Sequence, residues 1–342
     1  MKGDRVQPAG DVWSAAPALV IALGGNAISR ADDEPSVAAQ FGRTRATAEL
    51  LVPIIESGRF RLVITHGNGP QVGNILLRAD LATEAGVLPP LPIDAAVADT
   101  QGAMGYMIQQ CLSNALWESG IRIPVVTVVT QVIVDEDDPD FADPSKPIGR
   151  FYDPDQAESL QAEYDWTMKQ DKSSGKWRRV VPSPHPREIV EQDIVRELLD
   201  EGVIVIACGG GGVPVIAGEG GSLTGVDAVV DKDLASALLA ESVGAEVFAI
   251  VTEVDRVFIN FGAPKSTGLD EVDVDGLRRY QADGQFPAGS MGPKIEAVIQ
   301  YLERGGGRAI ITSPESLERA LDGKAGTQIV PTPQPEAAGS QG

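Results

Sequence analysis

Ala18-Leu19-Val20-Ile21-Ala22-Leu23-Gly24-Gly25-Asn26-Ala27 opens with six apolar residues in a row and stops at a pair of glycines. A short continuous apolar run that ends at a turn signal reads as a strand buried on both faces. The same phrase recurs along the chain. Residues 60–65 run into His66-Gly67-Asn68-Gly69-Pro70, and residues 203–207 run into Cys208 and the four glycines Gly209 to Gly212. Apolar runs at 125–129 and 247–251 end at Thr130-Gln131 and Thr252-Glu253. Helical patterns fall between them, at 46–56, 99–118, 189–200 and 235–243. Strands alternating with helices predict an α/β fold, a three-layer αβα sandwich around an open, mainly parallel sheet. Ligands of such sheets sit beyond the carboxyl ends of the strands, where three glycine clusters gather here.

Residues 132–186 break the alternation. The acidic run Asp135-Glu136-Asp137-Asp138-Pro139-Asp140 is followed by scattered prolines, by Trp166 and Trp177, and by Pro182-Ser183-Pro184-His185-Pro186. This reads as an inserted, protruding flap, with a central helix capped by Asp153 and carrying Pro154 in its first turn. The acidic run has no regular ligand spacing and reads as a solvated face rather than a metal site. Beyond the flap, a helix leads to Asp283, and Pro287 to Lys294 lead into another over 295–304. Short strands near 308–312 and 328–330 close the chain. Residues 1–17 and 332–342 read as flexible tails.

Composition narrows the function. Asp and Glu number 49 against 28 Lys and Arg, a net charge of −21, which disfavours binding to nucleic acid or to anionic membrane through a basic surface. Two cysteines, Cys111 and Cys208, are too few for a disulfide framework or a multi-cysteine zinc site. No apolar run approaches a membrane span and residues 1–17 lack the apolar centre of a signal peptide, so a cytoplasmic protein is expected. An anionic substrate would have to be held by local cations against the global field.

Gly225-Val226-Asp227-Ala228-Val229-Val230-Asp231-Lys232-Asp233-Leu234-Ala235 supplies such a cation. Asp231 can cap a helix whose apolar stripe, Leu234, Ala235, Leu238 and Leu239, holds Lys232 and Asp233 rigidly. Lys294 at a second helix start and Lys146 on the flap add two more positive groups. Other chemistries fail on spacing. The glycines at 209–212 lack G-x-G-x-x-G and precede a strand, and no Walker motif or G-x-S-x-G elbow occurs. His66 and His185 are the only histidines, too few for a zinc centre. His66 reads as a satisfied strand-end residue. Glycine turns, lysines and an organising carboxylate fit phosphoryl transfer, where catalysis is mostly positioning and charge neutralisation.

Together, Val20 to Ile28, Thr65 to Asn74, Lys146-Pro147-Ile148-Gly149, Cys208 to Ile216, Ala228 to Leu239 and Pro287 to Ile295 resemble the carbamate kinases of the amino acid kinase superfamily. The resemblance runs from about residue 18 to residue 331. It implies reversible transfer between ATP and carbamate to give ADP and carbamoyl phosphate, with Mg²⁺ on the nucleotide and no protein residue assigned to the metal. It further implies a homodimer that makes ATP in arginine catabolism. Residues 18–243 would form the acceptor lobe and 244–331 the nucleotide lobe. Lys146, Lys232, Asp233 and Lys294 would be catalytic; Gly24, Gly25, Asn26, Gly67, Asn68, Gly69, Gly209, Gly210 and Gly211 would hold the acceptor. Thr252, Val254, Phe258, Ala288, Met291 and Gly292 would bind the nucleotide. His185 stands where the family pattern has a lysine, and reads as a flap-surface residue. Another small-acid kinase and a catalytically silent ligand-binding regulator on the same fold are the alternatives.

Overall fold

The structure, a computed structural model, describes residues 15–25, 28, 36–171, 174–262, 264–287 and 290–333. One eight-stranded sheet carries it. In spatial order the strands are Glu271–Asp273, Thr327–Val330, Arg308–Thr312, Ala245–Val251, Ala18–Leu23, Arg61–His66, Ile204–Ile206 and Val125–Thr127. Every neighbouring pair is parallel except Arg308–Thr312 against Thr327–Val330. Ala18–Leu23 is central, paired with Arg61–His66 on one side and Ala245–Val251 on the other, so residues 18–243 and 244–331 share one sheet.

All six residues of that strand are buried, as a strand covered on both faces must be. Val20 and Ala22 point into a core with Leu234 and Ala235 of helix Lys232–Ser242 and Ile295 and Val298 of helix Met291–Glu303. Leu19, Ile21 and Leu23 point the opposite way, onto Leu51 and Ile55 of helix Val37–Glu56 and Ile108 and Leu112 of helix Ile93–Glu118. Each fully buried Leu or Ile contributes about 1.5–3 kcal/mol of transfer free energy, so both helical layers are held by the alternation within one strand. The αβα sandwich expected from the sequence is present.

Several boundaries differ from the sequence reading. The first helix starts at Val37, nine residues early, because Ser36 Oγ accepts from Ala39 N at 3.1 Å and caps it. Helix Ile93–Glu118 also starts before 99, and helix Gly69–Glu84, which the sequence reading omitted, grows straight out of the glycine turn with Pro70 in its first turn. The helix expected over 189–200 begins at Gln192, since Pro186–Ile189 is a strand. It pairs antiparallel with Gln131–Val134, which in turn pairs with Val213–Ala217 and, beyond it, Leu223–Gly225, in a second, four-stranded sheet. The inserted flap therefore leaves this sheet after Val134 and rejoins it at Pro186. It has its own three-stranded sheet, Lys146–Tyr152, Trp177–Val181 and Met168–Gln170, packed with helix Pro154–Tyr164. Helix Met291–Glu303 starts four residues before 295, with Pro293 and Lys294 in its first turn.

Candidate active site

Asp233 is the centre of the charged cluster. It sits in the first turn of helix Lys232–Ser242 and is only 3% exposed. Its backbone N–H donates to Oδ1 of the capping residue Asp231 at 2.9 Å, which fixes the helix start. Lys232 Nζ donates to Asp233 Oδ1 at 2.5 Å, and Lys294 Nζ, arriving from helix Met291–Glu303, donates to Oδ2 at 3.1 Å. Burial alone would push the Asp233 carboxyl up; the two ammonium groups override it and hold the group below the usual carboxylate range. Asp231 has a second use that the sequence reading, which made it only a cap, did not contain. Its Oδ2 accepts from Lys146 Nζ at 3.1 Å, tying the flap to the same helix start.

These groups open onto a cavity of about 760 Å³. Lys146, Arg150, Arg178, Lys232 and Lys294 line it with Asp231 and Asp233, five positive groups against two negative ones in a chain of net charge −21. The imbalance makes this a local anion site despite the acidic whole. Gly25, Gly67, Asn68, Gly69 and Gly210 supply backbone to its wall. Gly67 lies close against Lys232: a Cβ there would lie 3.3 Å from Lys232 Cδ, a tight contact that would shift the lysine side chain slightly. Gly210 has φ +67°, and a Cβ would run into the Asn68 side chain, whose Nδ2 donates to Thr100 Oγ1 at 2.9 Å.

The other expected residues take different places. Gly24 donates its N–H to Val251 O at 2.9 Å and joins two strand ends. Gly209 lies against the His66 ring and Gly211 against Val230 O, behind the cavity wall. Thr252 donates to Thr312 O at 2.8 Å, and Gly292 to Pro287 O at 2.9 Å. Neither these two nor Val254, Phe258 or Met291 line the cavity that holds the lysines. Asn26 and Ala288 lie outside the described residues. His66 is fully buried, its Nδ1–H donating to Gly67 O at 3.0 Å, and burial lowers its pKa to about 4. It is a neutral strut under the glycine turn, as the sequence suggested.

Arg150 and Arg178 were not foreseen. Gly149, at φ +65°, sits in an irregularity between Ile148 and Phe151 on the flap's first strand, and Arg178 Nη2 donates to its carbonyl at 3.0 Å. Among the described residues, neither Arg178 Nε nor Arg150 Nε, both buried, has a hydrogen-bond partner. Arg150 Nη2 donates to Glu84 at 2.7 Å. The signal available in the sequence was a glycine and two arginines on flap strands near Lys146, with nothing to say that the strands would bring them together.

Known proteins similar to this chain are consistent in kind. The amino acid kinase family profile matches residues 17–313. A carbamate kinase from Thermococcus kodakarensis is 50% identical, over 91% of this chain and 98% of its own. The carbamate kinase-like protein YahI of Escherichia coli is 46% identical, over 92% of this chain and 99% of its own. The structure of carbamate kinase from Giardia lamblia bound to AMP-PNP superposes with a TM-score of 0.88 at 40% identity, covering 93% of this chain and 100% of that one. With a profile match over most of its length and relatives this similar, the chain belongs to the amino acid kinase family, within its carbamate kinase branch.

Proposed function

We propose that the protein is a carbamate kinase, catalysing ATP + carbamate ⇌ ADP + carbamoyl phosphate. The observation that carries this reading is the pair of lysines held on one buried carboxylate, Asp233, at the wall of a cavity whose flap side carries Lys146. Carbamate is already an anion. Its oxygen forms the new bond to the γ-phosphorus as the bond to the bridging oxygen of ADP breaks, and no proton has to leave the acceptor, so no general base is needed. Lys232 and Lys294 neutralise charge on the moving phosphoryl group and the nucleotide phosphates, Lys146 and Arg178 face the acceptor from the flap, and Asp233 holds both lysines in place. Gly25, Gly67, Asn68 and Gly69 border the transfer position.

Residues 18–243 act as the acceptor lobe and 244–331 as the nucleotide lobe, with Thr252, Val254, Phe258, Met291 and Gly292 on the nucleotide side. Mg²⁺ enters on the nucleotide and adds positive charge at its phosphates. Asp231 and Asp233, the carboxylates that line the cavity among the described residues, are engaged by lysines and backbone, so phosphate oxygens and water are its proposed donors. The protein works in the cytoplasm as a homodimer, run toward ATP in arginine breakdown. Among the described residues no helix is long and apolar enough to cross a membrane, and helix Ile93–Glu118 presents Tyr106 and Trp117, 56% and 66% exposed, as an apolar face for a second copy.

The test is ATP formation from ADP, Mg²⁺ and carbamoyl phosphate by the purified chain. Turnover is expected; its absence in folded protein would overturn the reading in favour of a silent binding protein. Turnover with acetyl phosphate or acyl-acid acceptors at equal efficiency would overturn the choice of acceptor.

A further inference from the structure

His185 is the last residue of the flap before strand Pro186–Ile189, and it is bonded in two directions. Its backbone N–H donates to Asp138 Oδ2 at 3.0 Å, while the neighbouring Ser183 N–H donates to Asp140 Oδ2 at 3.2 Å. The outgoing and returning ends of the flap are thereby knotted at one point, just above the antiparallel pairing of Val134 with Pro186. The ring, 54% exposed on its side chain, crosses to a different element: Nε2 lies 3.2 Å from Oε1 of Glu296.

Glu296 sits on helix Met291–Glu303, two positions after Lys294. Residues two apart on a helix point to nearly opposite sides, so the helix reaches Asp233 with one side and the flap base with the other. The flap, for its part, carries Lys146. The His185–Glu296 contact therefore joins the element bearing one site cation to the element bearing another.

We propose that His185 is a positioning residue: in its charged form it clasps Glu296, fixes the Lys294 helix against the flap base, and makes nucleotide binding weaken as the clasp opens with rising pH. This rests on the reading that Lys294 meets the nucleotide phosphates. Among the described residues, the charged groups that bear most on the ring are acidic. Glu296 comes from the helix, with Gln300 Nε2 donating to the same Oε1 at 3.1 Å, and Asp138 and Asp140 come from the flap, Asp138 Oδ2 being 3.9 Å from Nδ1. The Glu296 hydrogen bond raises the His185 pKa and the histidine lowers that of Glu296. With the folded-state pKa raised, the clasp is fully formed below the ordinary histidine value and is lost as pH rises through the folded one.

The experiment is KM for ADP and kcat between about pH 6 and 8.5 for the wild type, His185→Lys, His185→Gln and Glu296→Gln, with carbamoyl phosphate saturating. His185→Lys keeps a charge throughout and should hold the low KM across the range. His185→Gln and Glu296→Gln should show the high KM throughout. The wild type should move from the first curve to the second, a change of about two- to fivefold, the size an exposed ion pair sets. Titration of the substrates themselves appears in all four chains and cancels in the comparison. Lys294→Met tests the underlying reading separately: unchanged KM for ADP there overturns the role of Lys294. A raised KM in Lys294→Met together with superimposable curves for the three position-185 chains overturns the clasp alone.

Discussion

Lys232 and Lys294 share one acceptor, their Nζ atoms 2.5 Å and 3.1 Å from the two oxygens of Asp233. Two like charges are brought together by a carboxylate that is itself almost out of water. Removing it leaves both lysines without the group that sets their position. Asp233→Asn should lower kcat/KM by a factor of about 100 or more, and should destabilise the fold by about 3–5 kcal/mol, the usual cost of breaking a buried pair from one side. Steady-state kinetics and urea unfolding of the same preparations check both.

The same carboxylate predicts an acid limb. Its folded-state pKa is held below the unfolded value, so its contribution to stability is present above the unfolded pKa, about 4, and is lost as pH falls through the folded one. Thermal melts of the wild type should drop more steeply below that point than those of Asp233→Asn, whose amide does not titrate. Parallel acid limbs would count against the role given to the two lysines.

Lys232→Ala removes a preorganised cation from the reacting group. Losses at comparable positions run to about 2.7–4 kcal/mol, a factor of roughly 100 to 1,000 in kcat. The melting temperature should change much less than in Asp233→Asn, because Lys294 still neutralises the carboxylate. Near wild-type kcat would remove Lys232 from the chemistry.

Arg178 stands on the flap with one buried N–H unpaired among the described residues and the cavity before it. Arg178→Gln should raise KM for carbamoyl phosphate about tenfold, the size of a charge-assisted hydrogen bond, and leave KM for ADP close to the wild type. Equal changes in both constants would mean that the arginine only supports the flap.

Gly210→Ala combines a left-handed backbone, at φ +67°, with a Cβ aimed at the Asn68 side chain. Either the Asn68–Thr100 hydrogen bond breaks or the glycine turn shifts, at a cost of about 1–3 kcal/mol. Differential scanning calorimetry should show the loss, and activity should fall with it since Asn68 borders the cavity.

The sheet was legible because its strands announce themselves: a run such as Ala18 to Leu23 has no exposed face to blur the pattern. The helices that were misjudged lack that contrast. From 37 to 43 helix Val37–Glu56 buries nothing fully, and helix Gly69–Glu84 buries only Val72 and Leu76, so the apolar period that marks a helix in sequence is absent there. Lys232, Asp233 and Lys294 could be singled out because each stands at a helix start, the first two behind the capping carboxylate Asp231 and the third behind Gly292-Pro293. The second oxygen of Asp231, the turn of Arg178 toward the cavity and the ring of His185 reaching Glu296 depend on which strand or helix lies opposite, and no spacing within the chain encodes that. The clasp shows the limit well: a residue that reads as flap surface is indeed surface, yet what it touches belongs to an element 111 positions away.

Ala18–Leu23 occupies the middle of the sheet, with Ala22 opposite Ile250 on one side and Thr65 on the other. On a ribosome the first of these strands emerges early and its second neighbour only when most of the chain has been made. Until then one edge of a wholly apolar strand is open, and pairing across so long a separation is slow. Refolding from denaturant should therefore pass through a state with Arg61–His66 docked and the other edge unprotected, and additives that shield apolar edges should raise the yield of active protein.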